Sequence, residues 1–410
     1  MFVSDWPLAI AHVDADCFFA SCELARRPDL RGRPVCVLSS QDACVVAKTY
    51  DAKAAGITTG MPVWEAKKLL PKAEYIPADF GYYGQMSDKL FAILARFSPD
   101  IEVYSIDEGF IDLRGLRSLW HKGYGEIANA LREAVRSETG ITVSVGVSVT
   151  KTLAKIASEF NKPDGTTIVP GRRIAEFLAR IKARAIPGIG ANREALLDKF
   201  GIATALQFIE ADEALIRKLM GRSGTDLRRE LRGEPVFALE LEPRLPKSIA
   251  RTASLGEITA SRETLAAHLT HHTTRVATEL VTKRYLAAKL AVFLRLKSFD
   301  SASVEIRLDY PTASYFVLSR AVQAALERLC QPGQWYRGCG VVASEIRFAA
   351  SVTPDLFGVM EQDGRQGALL ETMDAINGKY GSGTVRMLAS LPLKRRGKTQ
   401  CFNYPLFEAD

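Results

Sequence analysis

The sequence predicts an α+β protein with several domains, and three observations point to this fold class. Residues 1–170 alternate strand-like and helical stretches, residues 171–235 are helical in pattern, and residues 249–350 repeat strands and helices in a regular order. The chain has 410 residues, which is more than one hydrophobic core usually serves. We therefore expect about two to four domains.

An antiparallel sheet backed by helices is predicted for residues 1–32 and 78–170. LAIAHVDAD and the hairpin of IEVYSI with GFIDLRG have strand character, and ITVSVGVSV alternates as a strand after a helix that ends at Gly140. The order strand, helix, hairpin, helix, strand favours mainly antiparallel pairing. Residues 33–77, one strand followed by a helix–turn–helix stretch, predict a small inserted domain.

The C-terminal part begins with a proline-rich stretch at 236–248, which predicts a linker after the helical module. Residues 249–350 then follow the order β-α-β-β-α-β. This order predicts a four-stranded sheet with two helices on one face. Residues 351–410 show a less regular pattern.

The basic charge lies mostly in the C-terminal two-thirds of the chain. The net charge is +7, and residues 245–350 hold 14 Lys and Arg against 8 Asp and Glu, while residues 171–235 hold 13 against 9. A basic surface beside a small acidic site indicates a polyanionic partner. Ordinary solvated Lys and Arg are the alternative.

The composition argues against export and against a membrane span. No apolar run is long enough to cross a bilayer, and the N-terminal residues lack the basic region, apolar core and cleavage site of an export signal. Seven scattered cysteines form no Cys-x-x-Cys pair and no zinc-like Cys/His cluster. We therefore expect buried thiols in a reducing cytoplasm and no membrane partner.

Three carboxylates in apolar settings predict a metal site. Asp14 ends the first strand, and Asp107 and Glu108 stand within a strand-like stretch, where a carboxylate is costly unless it is paired or bound to a cation. Neighbouring strand residues face opposite ways, so Asp107 and Glu108 can share a site only at a hairpin turn or a bulge. The carbonyl of Ala15 could add a further oxygen. Such a site suits two Mg²⁺ ions, or Mn²⁺ in their place, roughly 3.5–4 Å apart, as in-line phosphoryl transfer requires. Two further carboxylates are expected to support the site by hydrogen bonding: Asp16 and Asp112.

Cations and aromatic rings near these carboxylates predict a nucleotide site. Tyr50 and Lys53 lie one helical turn apart and share a helix face, and Lys162 follows a helix end, so all three could reach a triphosphate. Phe18 and Phe19 directly follow the metal strand. Core packing is the ordinary role for Phe18, whereas the ring of Phe19 could lie against the sugar and exclude a 2′-hydroxyl.

A separate set of residues predicts binding to the DNA backbone. The segment IPGIGANREALLDKFGI, with Gly188 and Gly190 in its turn, resembles a helix–hairpin–helix, in which backbone N–H groups bind a DNA phosphate. A plain turn is the alternative. Basic side chains of the β-α-β-β-α-β unit could line a duplex: Arg251, Lys289, Arg295, Lys297, Arg307 and Arg347.

These motifs, taken in order, resemble the Y-family (translesion) DNA polymerases over about residues 9–350. The matching segments are VDADCFFASCE, TYDAK, YSIDEGFID, SVGVSVTKTLAKIASEFNKPDG, PGIG and ELRGEP. Within the family, ASCELARRPDLRGRPVCVLSSQDACVVAKTYDAKAAGI and MDAINGKYGSGTVRMLA look most like the catalytic subunit of bacterial polymerase V (UmuC type). NKPDG and the Phe-Phe pair look more like polymerase IV (DinB type).

The resemblance implies a right-hand polymerase that copies damaged DNA at low fidelity. Its domains would be a palm (1–32 and 78–170), fingers (33–77), a helical thumb (171–235) and a little finger (about 249–350). Metal ligation would belong to Asp14, Asp107 and Glu108 with the Ala15 carbonyl. Triphosphate contacts would belong to Tyr50, Lys53 and Lys162, and Phe19 would be the steric gate against ribonucleotides.

The resemblance also implies binding partners, and the sequence departs from the family pattern at two places. Primer–template DNA and a dNTP are expected, with a sliding clamp and, from the polymerase V likeness, a UmuD-like accessory subunit and a recombinase filament. A clamp peptide is expected at TPDLF with Leu356 and Phe357, although the usual leading Gln is absent; a loop packed on the core is the alternative. Gly109 stands where a larger residue is usual, and we expect it to loosen the site.

Two other functions fit parts of the pattern. A non-catalytic, DNA-bound scaffold would explain the basic surface, but it has no need of three clustered carboxylates. A metal-dependent nuclease could use the carboxylates, but it would leave Tyr50, Lys53 and Lys162 idle.

Overall fold

The described residues form two compact units, one ending at residue 242 and the other running from residue 244 to residue 390. The computed structural model describes residues 6–39, 43–242, 244–352, 359–381 and 383–390. Within these residues no helix has both the length and the apolar composition needed to cross a bilayer.

The strands occur where β-branched and aromatic residues concentrate. β1 and β7 are buried along their whole length, as expected for strands covered on both faces. In the described residues the strands are β1 (Ile10–Ala15), β2 (Val35–Leu38), β3 (Val45–Lys48), β4 (Glu74–Pro77), β5 (Ile101–Val103), β6 (Glu108–Asp112), β7 (Val143–Ser148), β8 (Thr166–Val169), β9 (Ser248–Thr259), β10 (Tyr285–Leu296), β11 (Ser301–Thr312) and β12 (Tyr336–Phe348).

Several helices begin and end at residues that favour such positions. The hydroxyl of Thr150 accepts from the Leu153 N–H at the start of one helix, and Gly140 ends another with φ 71°. The helices of the described residues are α1 (Phe18–Arg26), α2 (Tyr50–Ala54), α3 (Val63–Leu69), α4 (Phe80–Ala95), α5 (Leu116–Trp120), α6 (Tyr124–Thr139), α7 (Lys151–Phe160), α8 (Ile174–Ala179), α9 (Ala191–Asp198), α10 (Ala205–Glu210), α11 (Glu213–Leu231, kinked at Gly221), α12 (Arg262–Thr282), α13 (Tyr315–Leu329) and α14 (Val359–Tyr380).

The central sheet of the first unit has the strand order β5-β6-β1-β7-β8. All its pairs are antiparallel except β7–β8, which confirms the predicted, mainly antiparallel sheet. Leu90 of α4 and Leu131 of α6 pack on one face together with Val145, and α7 packs on the other. α7 lies so close to β7 that a Cβ on Gly146 would meet the Ala154 carbonyl at 2.2 Å. Glycine at this position therefore sets the distance between α7 and the sheet.

The segment between β2 and β4 forms a small sheet of its own, ordered β3-β2-β4. Cys36, Val45 and Ile57 are buried in a separate cluster beneath it. Farther along, α8 to α11 build a helical region around Phe208 and Leu197. The palm, fingers and thumb boundaries given above stay predictions.

The second unit has the predicted β-α-β-β-α-β order and a four-stranded antiparallel sheet, β11-β10-β12-β9. α12 and α13 contribute Leu269 and Leu326 to its core. α14 was not predicted, and it adds Leu370 and Met373 to the same core. Its sequence carries Gly364, Gly367 and Gly378, which weaken helix propensity and hide the pattern.

Candidate active site

The strand pairing of the central sheet brings the predicted carboxylates to one edge. In the β1–β6 ladder Asp14 lies directly opposite Glu108, and on its other side Asp14 faces Ser144 of β7. Asp107 is in the turn before β6, and its carbonyl accepts a hydrogen bond from the Ala15 N–H at 2.9 Å. The turn allows Asp107 and Glu108 to reach the same region although they are adjacent in sequence.

A cavity of about 480 Å³ opens at this edge. Its lining includes every residue predicted for metal or nucleotide contact: Asp14, Ala15, Phe18, Phe19, Tyr50, Lys53, Asp107, Glu108 and Lys162. It also includes Lys48, Lys155 and Glu159, which sequence reasoning did not select.

Glu108 is held as an anion by two neighbours. Its Oε2 lies 3.1 Å from Nε2 of His12 and in direct contact with the Lys155 ammonium. Burial alone would raise the pKa of Glu108, but the contacts with His12 and Lys155 outweigh it and lower the pKa to about 2. Burial lowers the pKa of His12 itself, whose Nδ1 lies 2.8 Å from the Ser158 hydroxyl.

The pKa of Asp14 shifts in the opposite direction from the pKa of Glu108. The Lys162 ammonium lies 2.6 Å from Asp14 Oδ1 and 2.6 Å from Glu159 Oε1, so one cation serves two carboxylates. Burial raises the pKa of Asp14 to about 7 although Lys162 lowers it in part. The site therefore holds more buried negative charge than Lys162 neutralises.

The donor atoms at this edge fit a divalent cation. Ligating atoms of His12, Asp14 and Glu108 all lie within 4.8 Å of one another. Carboxylate oxygens are the ligands that hard divalent ions prefer, and such an ion would supply the positive charge that Asp14 lacks. The carboxylate of Asp107 is instead hydrogen-bonded to Ser105 and lines the same cavity.

The ring of Phe19 is fixed in the cavity wall by aromatic contacts. It stacks on Tyr83 with centroids 4.5 Å apart and meets Phe80 edge-on at 5.7 Å. The Tyr83 hydroxyl donates to Glu23 Oε1 at 2.8 Å, and Glu23 is fully buried. Phe18 is buried in the central core, which is the ordinary role considered for it.

Tyr50 and Lys53 form another part of the wall, on α2. The Lys53 ammonium lies 5.8 Å from the centroid of the Tyr50 ring, and the Tyr50 hydroxyl is 3.5 Å from Asp16 Oδ1. Both side chains therefore face the cavity from the small sheet's side.

Asp16 is hydrogen-bonded in a supporting position, whereas Asp112 lies opposite Ile10 at the other end of β6 from Glu108 and does not support the site. Asp16 accepts from the Ser144 hydroxyl and from the Asp164 N–H, each at 2.8 Å. Because Asp164 follows Lys162 by two residues, Asp16 fixes the turn that carries this lysine. Asp112 accepts a bond from the backbone N–H two residues along the chain at 2.8 Å.

Three residues that contact Glu108 or Lys162 were missed: His12, Lys155 and Glu159. A signal for each was present. His12 is two residues before Asp14 and so shares its strand face, while Lys155 and Glu159 are four residues apart on α7 and so share a helix face.

Gly109 does not loosen the site. A Cβ at this position would lie 2.7 Å from Cε1 of Phe91 and 2.9 Å from the carbonyl oxygen of Glu102. The ring of Phe91 therefore fills the space that a larger residue would take.

The predicted helix–hairpin–helix turn precedes a short helix of the first unit. Gly188 has φ 89°, a conformation that favours glycine, and Gly190 is the residue before α9. Nη1 of Arg193 donates to the Gly188 carbonyl at 2.7 Å, which places a guanidinium beside the turn.

The predicted basic residues of the second unit do not all share one face. Lys289, Arg295 and Arg307 alternate with core residues such as Leu290 and therefore lie opposite α12 and α13. Lys297 and Arg347 are exposed. Arg251 lies on the other face with Ile249 and Leu255, and it pairs with Glu279 of α12. Leu356 and Phe357, predicted to bind a clamp, fall outside the described residues.

Known proteins are similar in sequence to most of this chain. Residues 13–159 match the impB/mucB/samB family, and residues 246–356 match the C-terminal domain of that family. Protein ImpB of Salmonella typhimurium is 32% identical, with 96% of each chain covered. DNA polymerase IV of Methanoculleus marisnigri is 35% identical over 77% of this chain and 89% of its own.

Solved structures show the same fold. A Y-family polymerase chimera of Dbh and Dpo4 superposes with a TM-score of 0.71 at 24% identity, covering 83% of this chain and 100% of its own. DinB from Sulfolobus solfataricus superposes with a TM-score of 0.57 at 22% identity, with the same coverage. The chain belongs to the impB/mucB/samB family.

Proposed function

We propose that this chain is a template-directed DNA polymerase that extends primers past damaged bases with low fidelity. The observation that carries the proposal is the meeting of Asp14 and Glu108 across β1 and β6, with Asp107 in the adjoining turn. Relatives named DNA polymerase IV support the same activity. Its substrates are primer–template DNA and a dNTP.

Asp14, Asp107 and Glu108, with the Ala15 carbonyl, would hold two Mg²⁺ ions, and Mn²⁺ would substitute. When bound, these ions lower the pKa of the primer 3′-hydroxyl and stabilise the charge that develops on the phosphates. The anionic state of Glu108, held by His12 and Lys155, prepares it for a cation at neutral pH.

The remaining side chains of the cavity position the triphosphate. With a cation bound at Asp14, Lys162 would be available to contact the triphosphate. Tyr50 and Lys53 approach from the opposite wall. Phosphoryl transfer depends mostly on positioning and charge stabilisation, which these groups supply.

Phe19 acts as the sugar gate in this proposal. Its ring is held by Tyr83 and Phe80, so it cannot easily move away from a 2′-hydroxyl. A fixed ring excludes the extra oxygen by bulk, whereas a mobile ring would accommodate it.

DNA contacts are assigned to the Gly188–Gly190 turn and to the sheet face with Lys289, Arg295 and Arg307. A sliding clamp, bound through Leu356 and Phe357, is part of the proposal. The proposal also includes a UmuD-like accessory subunit, a recombinase filament and a location on the nucleoid in the cytoplasm.

Primer extension with dNTPs and Mg²⁺ tests the proposed activity. We expect Asp14→Asn and Glu108→Gln each to lower the rate by about a thousandfold or more while the affinity for primer–template stays within about twofold. Asp88→Asn, an exposed carboxylate on α4, is the matched control and should be active.

The outcomes separate the alternatives. Degradation of the primer without extension would favour the nuclease, and DNA binding without any metal-dependent reaction would favour the scaffold. Normal extension by Asp14→Asn would remove the assigned metal site.

A further inference from the structure

A second cavity, of about 420 Å³, lies in the C-terminal unit between α12 and the segment from α14 to residue 390. This volume is within the range of small-molecule sites. Its floor is the last three turns of α12, and Asn377 of α14 closes one wall. The Asn377 amide makes two hydrogen bonds to the backbone of Val385, at 3.0 and 2.9 Å, so the wall is a built part of the fold.

The lining of this cavity is unusually cationic. Four basic side chains face two carboxylates, Glu279 and Asp374. The basic residues are Arg251, Arg275, Lys283 and Arg386. Glu279 is already paired with Arg251. The lining therefore keeps a positive excess, which an anion would offset.

The guanidiniums of Arg251 and Arg275 show the effect of this excess. Burial and the nearby charge of Arg251 lower the pKa of Arg275. Nε of Arg251 is buried and has no hydrogen-bond partner. A guanidinium donor without an acceptor, with the charge of a second guanidinium nearby, favours an anion in this cavity.

This cavity is separate from the sheet face assigned to DNA. Arg251 shares a strand face with the core residues Ile249 and Leu255, on the side covered by helices. Lys289 and Arg307 are on the opposite side of the same sheet. One duplex lying along that sheet face would not reach the cavity.

We propose that the cavity between α12 and α14 binds a small phosphate-bearing anion. The neighbouring guanidiniums favour phosphate oxygens. The concave shape favours a compact ligand over a duplex, and the lining lies away from the exposed basic face of the sheet. The proposal does not depend on polymerase activity.

Tripolyphosphate titrated calorimetrically into the full chain, without divalent metal, tests this site. In a Lys53→Ala, Lys162→Ala background, which removes the triphosphate contacts assigned to the active-site cavity, we expect saturable binding of one ion, weakened about tenfold or more by Arg275→Glu and by Arg386→Glu. Arg328→Glu, an exposed arginine on α13, changes the charge equally and should bind as the unchanged chain does. Asn377→Ala removes no charge, opens the wall and should also weaken binding.

Four results would overturn the proposal. One is the absence of saturable binding up to about 1 mM. Another is an equal loss with Arg328→Glu, which would indicate general charge attraction. Unchanged binding by both Arg275→Glu and Asn377→Ala would show that the ion binds elsewhere. A loss of duplex affinity in Arg275→Glu, as large as its loss of tripolyphosphate affinity, would make the cavity part of the DNA path.

Discussion

At the residue scale, the candidate site consists of carboxylates whose charge is only partly balanced by lysines. Lys155 contacts Glu108, and Lys162 is shared between Asp14 and Glu159. Such an arrangement stores unfavourable electrostatics that a divalent ion relieves. Functional sites often sacrifice stability in this way.

The first prediction concerns the stability of the metal-free protein against pH. The pKa of Asp14 rises from 3.8 to about 7 on folding, so the folded state keeps a proton that the unfolded state releases between these values. Stability therefore falls as pH rises through this window. Asp14→Asn should be more stable than the unchanged chain at pH 8 by roughly 1–3 kcal/mol, and the difference should shrink towards pH 4.

Urea unfolding in the presence of a chelator measures this difference at each pH. Asp88→Asn serves as the control, and its offset from the unchanged chain should not vary with pH. A less stable Asp14→Asn at pH 8 would mean that the Lys162 ion pair outweighs the burial of Asp14.

A second prediction concerns sugar selection. Phe19→Leu should raise ribonucleotide incorporation relative to dNTP incorporation by about tenfold or more, because the bulk beside the sugar is lost. Tyr83→Leu should raise it in the same direction, since Phe19 loses its stacking partner. Tyr82→Leu is the matched control, because the ring of Tyr82 packs against Arg26 instead. Unchanged sugar selection in Phe19→Leu would remove the gate role.

Asp14, Asp107 and Glu108 could be predicted from the sequence because carboxylates are rare within apolar strands. The lysines that pair with these carboxylates could not be predicted in the same way. The contact between Glu108 and Lys155 joins residues 47 positions apart and depends on how close α7 lies to the sheet. That distance is set by Gly146, whose role appears only in three dimensions.

At the element scale, buried carboxylates hold the start of the predicted linker to the first unit. Glu230 is fully buried, and its Oε1 accepts from the N–H groups of Val236 and Phe237 at 2.7 and 2.8 Å. Glu102 accepts from the Glu240 N–H at 2.9 Å. The part of the 236–248 stretch up to residue 240 is therefore fixed rather than free.

The third prediction tests this attachment. Glu230→Ala should cost about 2–4 kcal/mol of stability, because several backbone donors lose a charged acceptor. The amides of Val236 and Phe237 should then exchange hydrogen faster by about tenfold or more. Glu234→Ala, an exposed carboxylate paired with Arg229, should change neither quantity appreciably. Unaltered exchange in Glu230→Ala would show that other contacts hold the segment.

Sequence reasoning at this scale succeeded where periodicity was strong and failed where it was weak. The β-α-β-β-α-β order followed from clear alternation, whereas the glycines of α14 concealed a helix. Arg251 was grouped with Lys289 because both are basic strand residues. Only the strand pairing shows that Arg251 faces the helices.

At the scale of the whole molecule, positive charge is divided between an exposed sheet face and a recessed cavity. The exposed group carries the proposed DNA contacts, and DNA contacts release counterions. The recessed group should contribute little to that release.

The fourth prediction compares the two groups by the salt dependence of duplex binding. Arg295→Ala and Arg307→Ala should each reduce the slope of log affinity against log salt by about 1, with little dependence on DNA sequence. Arg251→Ala should leave the slope unchanged. Equal effects of all three substitutions would place Arg251 on the DNA path.

The most direct test of the central claim is the number of Mn²⁺ ions bound in a complex with primer–template DNA, a terminated primer and the matching dNTP. Electron paramagnetic resonance counts these ions without requiring catalysis. We expect about two ions per complex for the unchanged chain and a clear loss with Asp14→Asn. A full complement of ions in Asp14→Asn would contradict the claim that Asp14 and its partner across the β1–β6 ladder form the metal site.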